Sequence, residues 1–276
     1  MNKTYFFKLI LVLTITVSYF LLIDKTIIEN LNLFFNLESK TFLNLKLIIY
    51  FESLFRLIPL AIVLFLLNNE SFFKFKLVFK NSIWSFLMIG IIVFFTIKST
   101  FLEVDTNHLN ISKTQIAGYF LTTMSVGFFE EFFFRLLIFG YITQIFYKHS
   151  LFFQTLITSF LFGFIHITNF VKGNQDIFST LTQIEFAFIL GVFLQILFLR
   201  VKNIVLISFL HGLINFYDKF NQNLHQGQEL LVENYNSVDA YFSSLKAMLV
   251  FALLVIPLAY FYTNHSKNEL FTQKYN

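Results

Sequence analysis

The chain has no cysteine, only two prolines and few charges, and each scarcity removes a class of explanation. Without cysteine there can be no disulfide, no thiolate metal centre and no cysteine nucleophile. With so little proline, no Gly/Ser-rich run and no internal repeat, nothing marks a linker, so the reading is a single domain over residues 1–276. Charged residues make up 13% of the chain, whereas a soluble domain ordinarily carries about 25%. The remainder is 57% hydrophobic and 20% aromatic, the composition of a polytopic membrane protein. The 43 phenylalanines, accompanied by abundant Asn, Ile and Lys, fit a nucleotide-biased genome better than an aromatic ligand site.

At about 20 apolar residues per crossing, the sequence predicts an all-α bundle of about eight transmembrane helices. They fall at residues 5–23, 42–67, 82–98, 116–146, 151–171, 179–199, 203–219 and 243–263. The first is long enough to be a retained helix rather than a signal peptide, and no small-residue cleavage site follows it. Pro59 and Pro257 are expected to kink the second and the last. Lys74, Lys76 and Lys80 lie before the third span in a segment suited to the membrane interface. Their charge makes cytoplasmic termini the expected orientation, in a bacterial plasma membrane. The net charge of +4 comes from lysines scattered at helix ends, with no basic patch to bind nucleic acid.

Glu130, Glu131 and Arg135 interrupt the apolar stretch from Ile116 to Phe146. A charge at the centre of a spanning helix costs roughly 2.5–3.5 kcal/mol on the insertion scale, so the cluster requires partners, water or a function. Glu131 and Arg135 are one turn apart and can pair, with Glu N-terminal to Arg as the favourable order requires. Glu130 points about 100° away and has no cation nearby in sequence. Further on, Phe162 and His166 share a helix face at i, i+4, with Gly163 between them to admit a neighbouring helix, and so do His211 and Asn215. A carboxylate and an imidazole can hold and deprotonate a water, and an imidazole and an amide can donate to the oxyanion formed when that water attacks a peptide carbonyl. The set Glu130, His166 and His211 could equally ligate zinc with a position left open for water. No HExxH motif and no GxSxG elbow is present.

Glu130-Glu131-x-x-x-Arg135, Phe162-x-x-x-His166 and His211-x-x-x-Asn215, in this order on successive helices, resemble the three motifs of the CAAX protease and bacteriocin-processing family, also called Abi, which includes the type II prenyl-protein endopeptidases. The motif-bearing core is residues 116–220. The resemblance implies a membrane-embedded endopeptidase in which Glu130 activates water with His166, while His211 and Asn215 form the oxyanion site. Glu131, Arg135 and Phe162 would support the site or contact substrate. The expected partners are membrane lipids and a membrane-associated peptide or protein substrate, lipidated or not. Members have been described both as metalloproteases and as metal-independent glutamate peptidases; the metal-independent mechanism is preferred here, with zinc as the alternative. Two other functions stay open: a noncatalytic scaffold of the bacteriocin-immunity or regulatory type, and an ion-coupled transporter.

Other polar positions carry weaker expectations. Glu52 and Arg56 can form a structural i, i+4 pair. Glu185 is expected at an interface or in a hydrogen bond across the bundle. Asp218 marks a helix end, and Asn169 is a candidate to support His166.

Overall fold

The computed structural model describes residues 2–19, 21, 57–70, 113–226 and 237–265. Helix α1 is Lys3–Ser18 and α2 is Leu57–Asn68. A continuous helical path follows: α3 (Lys113–Glu131), a π-helical segment (Phe132–Ile138) and α4 (Phe139–Ile145). Then come α5 (Leu151–Phe164), the short α6 (Ile167–Val171), α7 (Ile177–Val201), α8 (Ile204–Gln226) and α9 (Ser237–His265). Every regular element among the described residues is helical, as the composition predicts. The expected Glu52–Arg56 pair, the third span and the lysine cluster before it lie outside the described residues, while Asp218 does not mark a helix end, because α8 continues to Gln226.

Local chemistry sets several boundaries. Ser150, in an extended conformation, accepts from the Phe153 amide and starts α5. Asp176 caps α7 by accepting from the amides of Phe178 and Ser179 at 2.9 and 3.1 Å, and it also accepts from the Ser179 hydroxyl. These bonds, Ser179's foremost, hold its carboxyl below the usual carboxylate range. Lys202 closes α7 in the left-handed region (φ 55°), and Asn203 then accepts from the Leu206 amide to begin α8.

Among the described residues three helical stretches are long and apolar enough to cross a membrane: Leu151–Val171, Ile177–Val201 and Tyr241–Thr263. The outer face of α9 carries Leu249, Val250, Leu253, Leu254, Leu258 and Phe261 exposed, a surface suited to hydrocarbon rather than water. With α3 to α4 running roughly 50 Å at 1.5 Å per residue, that path exceeds one hydrocarbon core of about 30 Å. The span expected at 151–171 is divided: α5 ends at Phe164, Ile165 and His166 form a turn, and α6 resumes at Ile167. In that turn the amide of His166 bonds the Gly163 carbonyl and that of Thr168 bonds Ile165, the tighter i to i+3 pattern.

Close backbone approaches organise the packing, antiparallel for α3 with α8 and for α5 with α7, parallel for α7 with α9. Helix α3 lies along α8, α5 along α7, and α7 along α9. The core centres on the π-helical segment, where Phe133, Phe134, Leu137 and Ile138 are almost wholly buried. Helix α1 reaches this core through α4. There Glu70, just beyond α2, accepts from Lys8 Nζ at 2.7 Å and from the Tyr141 hydroxyl at 2.9 Å, tying three separate segments together.

Candidate active site

The site depends first on two glycines. A Cβ on Gly127 would lie 2.6 Å from the Gly212 amide nitrogen and 2.7 Å from the Ser208 carbonyl oxygen, and one on Gly212 would lie 2.7 Å from Met124 Sδ. Only hydrogen fits at these positions, so α3 and α8 touch backbone to backbone. Glu130 and Glu131 follow one turn after Gly127, and His211 adjoins Gly212, so the contact delivers both carboxylates to the imidazole.

Glu131 and Arg135 form the pair expected from their spacing. Arg135 Nε donates to Glu131 Oε2 at 2.9 Å and Nη2 to Oε1 at 3.3 Å, and both side chains are fully buried. Glu131 also has a second partner that sequence spacing could not reveal: His211 Nδ1 lies 2.9 Å from Oε1. An ionised carboxylate only accepts, so Nδ1 carries a proton and the tautomer of His211 is fixed. Its other nitrogen, Nε2, faces Glu130 Oε2 at 3.6 Å, beyond a direct hydrogen bond. Glu130 is the more open of the two carboxylates, its side chain 16% exposed against 0% for Glu131.

Phe162 is the apolar hub. Its ring lies 5.0 Å from the Arg135 guanidinium carbon, and it meets His166 and His211 edge-on at 5.8 and 5.7 Å. His166 occupies the turn between α5 and α6, half-buried and within electrostatic reach of both Glu130 and His211. Glu130, His166 and His211, brought from three helical regions, therefore share one neighbourhood. Asn215 is half-buried one turn beyond His211 on the same face of α8, and it makes no hydrogen bond among the described residues.

Two peripheral expectations resolve differently. Asn169 does not support His166; its amide donates to Gln183 Oε1 at 2.8 Å and ties α6 to α7. Glu185 accepts from the Tyr241 hydroxyl at 2.7 Å, a hydrogen bond across the bundle. The Glu70, Lys8 and Tyr141 cluster was missed, although a lysine within an apolar first helix was a signal that it needed a partner. As for zinc, no group of three or more His, Asp or Glu side chains among the described residues is arranged to hold a metal ion. The Glu130, His166 and His211 set therefore does not fit a zinc site as it stands, and no catalytic step is assigned to a metal.

Fold and site together define an integral membrane helical protein with carboxylates and imidazoles gathered at one point. Residues 112–217 match the family model of the type II CAAX prenyl endopeptidases, Rce1-like. The matched segment contains all three motifs, nearly coincides with the 116–220 core expected from the sequence, and is similar to the Rce1-like CAAX proteases. No curated protein and no solved structure matches the chain.

Proposed function

We propose that this protein is a membrane-embedded endopeptidase that hydrolyses a peptide bond of a membrane-associated substrate without a metal. The observation that carries the reading is the approach of Glu130 Oε2 to His211 Nε2 at 3.6 Å, with His166 in electrostatic reach of both, inside the Rce1-like segment. Such a gap leaves room for a reacting oxygen to meet both groups. Glu130, with His166, takes a proton from the attacking water; the carbonyl oxygen becomes the tetrahedral oxyanion; and the proton passes to the leaving amine as the C–N bond breaks.

His211 and Asn215 stabilise the oxyanion in this scheme. Because Nδ1–H is committed to Glu131, His211 can donate from Nε2 only as the imidazolium. Glu131 thus acts through His211 rather than on substrate, and Arg135 holds Glu131 in place.

The test uses purified protein in lipid nanodiscs with fluorogenic peptides ending in a CAAX sequence, prenylated and unprenylated. Cleavage by the wild type and a loss of at least about 100-fold in Glu130→Gln are expected, as for removal of a general base. Wild-type rates in the variant would sink the mechanism, and retained activity in excess chelator separates it from a metalloprotease. Cleavage confined to the prenylated peptides would identify a lipidated substrate.

A further inference from the structure

Buried polar groups outside the catalytic cluster lack partners, and they collect at the interface of α5 and α7. Gln195 on α7 is fully buried, yet neither end of its carboxamide is hydrogen-bonded. On α5, Thr155 and Ser159 are fully buried with unbonded hydroxyls, and the Nη1 arm of Arg135 is also free. Their orientation sets the two hydroxyls apart. Elsewhere in the bundle Thr158, Thr123 and Thr263 return theirs to backbone carbonyls four residues earlier, the usual refuge of a hydroxyl in an apolar helix.

The helix register places these groups together. Asn169 bonds Gln183; a Cβ on Gly163 would meet Ile184 and Phe188; a Cβ on Gly191 would meet Ser159 at 3.1 Å and Phe162 at 3.0 Å. Positions on α5 therefore descend as those on α7 rise. The next turn past Ser159 and Gly191 sets Thr155 opposite Gln195. Arg135 borders the Phe162 end of this seam, since its guanidinium packs on that ring, which abuts Gly191.

We propose that this seam is an internal water-binding site, in which ordered water bridges Gln195, Thr155, Ser159 and the free arm of Arg135. The ligand follows from the donor and acceptor inventory. The carboxamide and hydroxyls both donate and accept, while the arginine arm only donates, and water is the small ligand that answers all of them with two to four bonds. The positive arm disfavours a metal cation in the same space. Through its water the seam orients the guanidinium that holds Glu131, which makes Gln195 a positioning residue. The inference stands on packing and does not depend on the hydrolytic reading.

The test uses the full-length protein in nanodiscs with ¹⁵N-glutamine. The side-chain amide signal of Gln195, assigned by its loss in Gln195→Leu, is expected to show cross-relaxation with water, and Gln195→Leu is expected to lower Tm by several degrees. Thr155→Val, a near-isosteric change, should weaken the cross-peak while leaving the fold intact. No cross-peak together with a raised Tm in Gln195→Leu would overturn the proposal, since removal of a dry, unbonded carboxamide relieves strain. A Tm that rises with sodium chloride but not with choline chloride would also overturn it, by assigning the oxygens to a cation.

Discussion

Neutralising Glu131 is the sharpest perturbation of the buried network. Glu131→Gln keeps the shape and an acceptor for His211, but it leaves the Arg135 charge, fully buried, without its carboxylate. Breaking a buried pair by removing one member costs about 3–5 kcal/mol. The Phe162 face at 5.0 Å still holds the guanidinium in the variant, so the expected loss lies at the low end of that range, near 3 kcal/mol. Combining Glu131→Gln with Arg135→Met removes the stranded charge and should return stability to within about 1 kcal/mol of wild type, because apolar replacement of a buried pair is often neutral. Reversible SDS unfolding in mixed micelles, followed by far-UV circular dichroism, measures all members of the cycle. Additive losses, or a single variant within about 0.5 kcal/mol of wild type, would refute the argument that Arg135 depends on Glu131 for its buried charge.

Gly127→Ala forces a methyl against the Gly212 and Ser208 backbone, so a loss of about 1–3 kcal/mol is expected. Its activity should fall further than its stability, read as kcat at a temperature where the variant stays folded, because the α3 to α8 spacing sets the Glu130 to His211 gap. The committed Nδ1 proton makes a pH prediction: if His211 donates from Nε2, kcat declines as pH rises through its deprotonation, measured over about pH 5 to 9. A kcat that instead climbs through that titration, in wild type but not in His211→Ala, assigns Nε2 as a base and removes it from the oxyanion site. Glu70→Ala removes the acceptor shared by Lys8 and the Tyr141 hydroxyl and should cost about 1–3 kcal/mol in thermal unfolding, with Lys8→Ala costing less because Lys8 is 44% exposed.

Much of this was legible from spacing alone. The helical membrane character follows from scarce charge, and the Glu131 to Arg135 pair follows from an i, i+4 step within one helix. The neighbourhood of Glu130, His166 and His211 was inferable because isolated polar groups in apolar helices need company. What spacing cannot encode is which nitrogen meets which oxygen across 80 residues, so the division of His211 between two adjacent carboxylates had no sequence signal. The turn at Ile165 and His166 was hidden because the residues on either side of it, Phe164 and Ile167, are as apolar as those of a continuous helix. Glu70 escaped notice because its two partners come from elements far apart in the chain.

The π-helical turns at Phe132–Ile138 sit between two polar anchors, the carboxylates of Glu130 and Glu131 before them and Tyr141 after them. A wide turn works as a phase adapter: it takes up residues without advancing the following face as far as an α-helix would, and each α residue turns the face by about 100°. The segment thereby lets one helical rod aim its first half at α8 and its second half at Glu70. Lengths within this stretch are consequently under tighter constraint than identities. Swapping one phenylalanine for leucine preserves both aims, whereas deleting a single residue rotates Tyr141 away from Glu70 and uncouples the Glu130 and Glu131 face from the N-terminal helices.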